Sequence, residues 1–253
     1  MEKILRFFYT LYLLIGAVVY VFIYGGIVLI IGGILRIFSK NLSKKFVVGQ
    51  IETFGRMTFK LLGIKVYKFG EIKKTNENFM VVSNHQSALD IPLIIGFVTP
   101  AAFIAKKELG KVPGVNWFLK YLNSVLIDRG NIRQTAYALK EVVQKMKNGV
   151  HFIIFPEGTR SIDGKVLPFK PRSLELAFKN KIKVLPVSLW GLHRVWNKKS
   201  FLIKRHPVYL KIHDFVDPND FNSEEEFRNH VEKIIREGVE FLERRFYSET
   251  SES

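Results

Sequence analysis

Residues 7–35, FFYTLYLLIGAVVYVFIYGGIVLIIGGIL, carry no charge over 29 positions. A helix crosses a bilayer with about 20 apolar residues, so this run is long enough and more. A secretory signal has an apolar region of only about 7 to 15 residues, followed by a small-residue cleavage site. Here RIFSKNLSKK follows instead, which favours a retained membrane segment. The pairs Gly25-Gly26 and Gly32-Gly33 allow a bend or a close helix contact. The next stretch, over 43–62, spaces Val47, Ile51, Phe54, Thr58 and Leu61 as one helical face and puts Lys45, Glu52, Arg56 and Lys60 largely elsewhere. It predicts an amphipathic helix, lying in the membrane interface or covering a core.

From about residue 64 the period changes. IKVYKF alternates strictly, and FMVVS, AAFIA, SVLI, HFIIF and IKVLPVS are short apolar runs bounded by polar, Gly or Pro residues. Between the SVLI and HFIIF runs, Ile132, Ala136, Leu139, Val143 and Met146 form a helical stripe that Gly149 stops. PGVNWFLKYL and PRSLELAFKN predict shorter helices. FNSEEEFRNHVEKIIREGVEFLERRF opens with a cap and three glutamates, and its apolar face is Phe227, Val231, Ile234, Ile235, Phe241 and Leu242. Strands alternating with helices predict an α/β domain with a largely parallel or mixed central sheet flanked by helices, behind an N-terminal membrane-embedded helical segment. The organisation is then residues 1–62 at the membrane, 63–247 as the α/β domain, and 248–253 (SETSES) as a frayed tail.

Composition narrows the chemistry. The chain of 253 residues has no cysteine, which removes disulfides, thiolate metal sites and a cysteine acyl-enzyme. With 39 Lys and Arg against 23 Asp and Glu the net charge is +16, so the favoured partners are anionic. No nucleic-acid-binding motif is present, and the apolar run directs the charge toward lipid instead. Arg36, Lys40, Lys44 and Lys45 follow the apolar run, against Lys3 and Arg6 before it. By the positive-inside rule the domain faces the cytoplasm at the cell membrane.

Three polar clusters each follow an apolar strand: NHQSALD after FMVVS, DRG after SVLI, and PEGTR after HFIIF. Ligands in open α/β sheets bind beyond the carboxyl ends of strands, so the clusters are expected to converge. His85 and Asp90 are five residues apart, about 500° of ideal helix, and so would meet only with His85 in the loop and Asp90 opening the next helix. A histidine held by a carboxylate is an oriented general base, and Arg129 and Arg160 offer planar forks that match a phosphate. Together they fit activation of a hydroxyl on a phosphorylated alcohol. Each part also has a plainer explanation. The His–Asp pair serves as a capped helix start, Asp128-Arg129 as a turn with a surface ion pair, and Ser87 and Thr159 as cap or turn donors. Lys106 and Lys107 end a strand in solvent or contact a donor or phosphate.

NHQSALD resembles the NHx4D block of the glycerophospholipid acyltransferases, VLIDRG their second block, FPEGTRS their third and VLPV (184–187) their proline-centred fourth. The four occur in the family's order over roughly residues 75–190, and the chain looks most like the bacterial 1-acylglycerol-3-phosphate acyltransferases. The resemblance implies that His85 deprotonates the sn-2 hydroxyl of lysophosphatidic acid while Asp90 orients it. Acyl-ACP or acyl-CoA serves as co-substrate, phosphatidic acid is the product, and no cofactor or metal is needed. Arg129, Arg160, Glu157, Gly158 and Thr159 fall in its substrate-binding blocks, supported by Asn84 and Ser87. Arg172 stands where the family commonly has glycine, so no role is carried onto it. The resemblance leaves open other acceptors, glycerol 3-phosphate or a larger lysophospholipid. The oligomeric state is equally open, and a non-catalytic lipid-binding module is the rival of another class.

Overall fold

The computed structural model describes residues 2–75, 77–127, 132–200 and 202–251. Two long helices come first, α1 (Glu2–Phe38) and α2 (Lys40–Leu61). They are followed by β1 (Val66–Phe69), β2 (Met80–Ser83), α3 (Asp90–Phe97), β3 (Ala102–Lys106), α4 (Val115–Tyr121) and β4 (Val125–Ile127). After these come α5 (Ile132–Lys147), β5 (Phe152–Ile154), α6 (Glu175–Lys179), β6 (Val184–Trp190), α7 (Leu192–Val195), β7 (Val208–Ile212) and α8 (Glu224–Ser251). The seven strands form one mixed sheet in the order β1-β7-β6-β2-β5-β3-β4. Every pairing is parallel except β6 with β7.

Alternation along the central strands feeds two cores. Val81 of β2 and Leu185, Val187 and Leu189 of β6 face a layer built with α1, α2 and α3. Met80 and Val82, with Val184 and Trp190, face α5, α6 and α8. All seven residues of β6 are buried, as a central strand covered on both faces requires. Pro186 is tolerated there because its missing N–H falls in a gap in the antiparallel ladder. The gap lies between the Val184–Val216 bridge and the Val187–Ile212 pair.

α1 turns back on α2 with only Ser39 between them, and Ser39 caps α2 by accepting from the Leu42 amide. Gly32 is the close-approach point: a Cβ there would sit 2.7 Å from Val47, and Ser43 donates to the Gly32 carbonyl at 2.7 Å. Tyr24 donates to Gln50 and Tyr9 to the Leu62 carbonyl, so the pairing runs the length of both helices. The far end of α1 is tied to the domain, where the Ile203 amide donates to Thr10 Oγ1. α1 is long and apolar enough to cross a membrane and exposes much of that surface, including Phe7, Phe8, Leu11, Ile15 and Val18.

α2 joins the domain through two glycines. A Cβ on Gly55 would lie 2.6 Å from the Pro92 carbonyl oxygen and 2.8 Å from the Gly96 amide, and one on Gly96 would meet Arg56 N at 2.6 Å. Backbone cannot yield as a side-chain tip can. Gly55→Ala is therefore expected to cost about 1–3 kcal/mol by overpacking, read as a lowered thermal midpoint. An unchanged melt would show that α2 does not dock rigidly on α3.

Several sequence expectations need correction. The buried face of α2 is Ser43, Val47, Ile51, Gly55 and Phe59; Phe54, Thr58 and Leu61 line a groove of about 490 Å³ against α1 instead. Among the described side chains of α5 the buried positions are Ala138, Val142 and Met146, while the side chains of Ile132 and Ala136 lie outside the described residues. Leu139 and Val143 line a cleft of about 450 Å³ shared with Leu176 of α6. In α8, Val239 is buried while Ile234 and Phe241 are only half-buried. Residues 248–251 are not a frayed tail: α8 continues to Ser251, and Tyr209 donates to Glu249 at 3.0 Å. The antiparallel strand β7 was not anticipated.

Candidate active site

β2 delivers the loop 84–89 at its carboxyl end, and the adjacent parallel strand β5 delivers 155–161. The first loop is fixed by its own polar side chains. Asn84 Nδ2 donates to the Leu189 carbonyl at 2.9 Å and Asn84 Oδ1 accepts from the Leu189 amide at 2.8 Å, which anchors it to β6. Gln86 donates to the carbonyls of Gly164 and Leu189 and accepts from the Leu192 amide. Ser87 Oγ donates to the Trp196 carbonyl at 2.9 Å and accepts from the Leu89 amide, so its hydroxyl is occupied as a turn donor.

Asp90 is the first residue of α3 and its side chain is fully buried. Its Oδ2 lies 2.6 Å from His85 Nδ1 and accepts from the amides of Gln86 at 2.6 Å and Ser87 at 3.0 Å. A carboxylate surrounded by donors can only accept, so the proton between them sits on His85 Nδ1 and Nε2 is left as the basic atom. The imidazole is 20% exposed and stacks on Phe155, with centroids 4.1 Å apart and planes 16° apart. His85 is alone among the six histidines in bonding a carboxylate, among the described residues. Burial pushes His151 and His206 down, and His193 and His213 down to about 4, so these rings sit neutral within the fold.

The second loop closes over the first. Gly158 turns at φ 66, a conformation glycine adopts without strain, and its amide bonds the Phe155 carbonyl. Glu157 is 2% exposed, and its Oε1 accepts from the His85 amide at 3.2 Å. Ser161 N donates to the His85 carbonyl at 2.8 Å. Burial raises the Glu157 carboxyl to about 8, more than the amides of His85 and Leu167 lower it. Thr159 is exposed, and the half-buried Arg160 makes no hydrogen bond or ion pair among the described residues. Two lysines outside the recognised blocks flank this turn. Lys198 Nζ lies 3.4 Å from Thr159 Oγ1, and Lys170 Nζ lies 2.7 Å from where a Cβ on Gly158 would stand.

Lys106 and Lys107 are exposed at the carboxyl end of β3, without a hydrogen bond to the His85 loop. Asp128 and Arg129 lie outside the described residues. Arg172 sits at φ 62, which explains why glycine suits that position; its guanidinium is 3.8 Å from Glu175. Gln86 and Phe155 lie within the recognised blocks and Lys198 outside them, yet none is marked out by sequence alone, since an isolated amide, aromatic or lysine carries no pattern.

The acyltransferase family model matches residues 64–190, a span that contains both loops and the His85–Asp90 pair. The chain belongs to the acyltransferase family. Among curated proteins it is 33% identical to a coconut (Cocos nucifera) 1-acyl-sn-glycerol-3-phosphate acyltransferase, over 72% of this chain and 58% of that one. It is 31% identical to the protein of that name from Borreliella burgdorferi, over 71% of this chain and 72% of that one. The crystal structure of the 1-acyl-sn-glycerophosphate (LPA) acyltransferase PlsC from Thermotoga maritima superposes with a TM-score of 0.89. That match covers 96% of this chain and 98% of that one at 48% identity. The likeness to that structure includes α1 and α2, which the family model does not reach. The acyltransferase site therefore sits on a fold shared from the first helix to the last.

Proposed function

We propose that this acyltransferase moves a fatty acyl group from acyl-ACP or acyl-CoA to the sn-2 hydroxyl of lysophosphatidic acid, giving phosphatidic acid. The observation that carries it is His85, its Nδ1 committed to a buried Asp90 and its Nε2 free beside a turn ringed with cations. Nε2 takes the hydroxyl proton as the oxygen attacks the thioester carbonyl. The tetrahedral intermediate collapses by breaking the C–S bond, and the proton passes from the imidazolium to the departing thiolate. Asp90 holds the ring and offsets the charge it carries between these steps. Arg160 and Lys198 hold the acceptor's phosphate, with Arg129 joining them in the family's pattern.

The helix pair suits an acceptor and product that remain in a bilayer. α1 is packed along α2, and α2 is locked to α3 by backbone contacts, so α1 cannot cross the membrane without drawing the basic domain after it. This packing supports a helix pair seated in the cytoplasmic leaflet, with Lys40, Lys44 and Lys45 at headgroup depth, while the donor arrives from water.

The test is acyl transfer by the purified chain in liposomes. Lysophosphatidic acid, glycerol 3-phosphate and monoacylglycerol are offered in parallel, with acyl-CoA or acyl-ACP as donor. Phosphatidic acid is the expected product, with monoacylglycerol a poor acceptor. Lys198→Ala and Arg160→Ala should each raise KM for lysophosphatidic acid about tenfold, the loss of one charge-assisted contact. Product from glycerol 3-phosphate alone would move the reaction to a different acceptor, and no transfer from any pair would reject the reading.

A further inference from the structure

The loop that follows β5 grips the backbone of the base more fully than it faces open solvent. His85 has one amide and one carbonyl, and both are taken by this loop: Glu157 Oε1 accepts from the amide and Ser161 N donates to the carbonyl. Phe155, two residues before Glu157, stacks on the imidazole itself. Glu157 is 2% exposed, and its Oε2 is sealed from solvent with no hydrogen-bond partner. A side chain so enclosed is poorly placed to meet a lipid headgroup. It is well placed to set where the ring of His85 points, because peptide orientation at residue 85 fixes the Cα–Cβ direction. The cations near the loop, Lys198 and Lys170, flank Thr159 and Gly158 instead.

We propose that Glu157 is the positioning residue of the general base, locking the His85 peptide from beneath while Asp90 locks its ring. The proposal rests on His85 acting as the base of acyl transfer, and it separates the work of the loop within that reaction. Glu157 and Ser161 mount the base; Thr159, Arg160 and Lys198 face the anion.

Glu157 does this as a neutral carboxyl. The charges that face it are Asp90 at the start of α3, whose carboxylate disfavours a second anion, and Arg236 of α8, which favours one more weakly. His85 adds a positive charge only when protonated. Ionised, Glu157 would hold a charge away from water with one oxygen unpaired. That cost is relieved by local opening of the loop to admit water at Oε2, which loosens the mount of His85. The sign follows directly. Folding raises this pKa, so the bound proton stabilises the native chain at low pH, and that contribution is gone once the pH passes about 8.

The experiment compares Glu157→Gln, Glu157→Asp and Glu157→Ala in the full-length protein, each checked by thermal melt, with lysophosphatidic acid as acceptor. Gln keeps an acceptor oxygen at the same reach, and kcat should stay within about threefold. Asp is one methylene short and Ala has no acceptor, and each should lose about 10²-fold in kcat with KM for the acceptor unchanged. The wild-type rate should also fall as the pH rises past about 8, while Gln, which cannot ionise, keeps its rate there. A higher acceptor KM with kcat preserved in Asp or Ala would make Glu157 a substrate ligand and overturn the proposal. So would a Gln variant that melts like wild type yet is as slow as Ala, or one that loses activity over the same alkaline range. Should Ala not fold, Gln and Asp still decide the matter. A wild-type protein inert toward every acceptor would instead strike at the acyl-transfer reading beneath it.

Discussion

Replacing His85 by alanine is expected to reduce acyl transfer at least about 10³-fold, within the range for losing a general base. Among the described residues, nothing else in the site is placed to take over the proton. Ser87 already donates its hydroxyl to the Trp196 carbonyl, and Asp90 is buried beneath the ring. The other histidines are engaged elsewhere: His193 with Gln86, His206 with the Pro207 carbonyl, His213 with Ser188, and His151 with the Phe79 amide. His230 lies on α8 against Phe221. The fold should survive the change. The imidazole is partly exposed, and Asp90 keeps two backbone donors when its third partner is removed. A cost of about 1–2 kcal/mol is expected for that lost charged bond, visible as a small fall in thermal midpoint. Flotation with liposomes should be unchanged, since the apolar surface is on α1. A His85→Ala protein that turns over at the wild-type rate would reject the base assignment outright.

Much of this site was visible in the chain because its chemistry is local. His85 and Asp90 are five residues apart, and the turn that joins them is written in NHQSALD itself. Strand runs were equally plain where strands are buried on both faces, as with VLPVSLW. β7 was missed for a physical reason: VYLKI is five residues long, follows a proline, and gains its order by pairing between β1 and β6. β1 is far from it in sequence, and β6, the preceding strand, is separated from it by α7.

Faces were harder to read than elements. In α2 a stripe containing Phe54 and Leu61 is as apolar as the stripe that is buried. What decides between them is glycine at 55, whose absent side chain lets α3 approach. Hydrophobicity scoring discounts such a residue, although backbone contact there sets the docking. The same limit hid the role of the loop after β5. FPEGTRS is recognisable as a block, but its polar residues point two ways: Glu157 turns inward to His85, and Thr159 outward to solvent. Alternation in a tight turn around Gly158 follows from its φ of 66, which one-dimensional spacing does not display.

The second large effect is expected at Asp90, where two substitutions separate charge from orientation. Asparagine keeps one oxygen. The three N–H groups that converge on Oδ2, from the His85 ring and the Gln86 and Ser87 amides, favour placing it there. The ring is then still held with its proton on Nδ1, but no negative charge faces the imidazolium that forms during transfer. The amide nitrogen is also turned toward the Ser87 amide, which Oδ1 accepts at 3.1 Å in the native chain. We expect Asp90→Asn to lower kcat about 10²-fold or more, with acceptor KM little changed. Alanine removes the acceptor altogether and leaves buried donors unpaired, at about 1–3 kcal/mol for each one that finds no water. Asp90→Ala should therefore lose both catalysis and several degrees of thermal midpoint, whereas Asp90→Asn loses mainly catalysis. Parallel kinetics and melts on the two variants give the comparison. If asparagine kept full activity, Asp90 would only orient the ring, and the charge assigned to it in the reaction would be wrong.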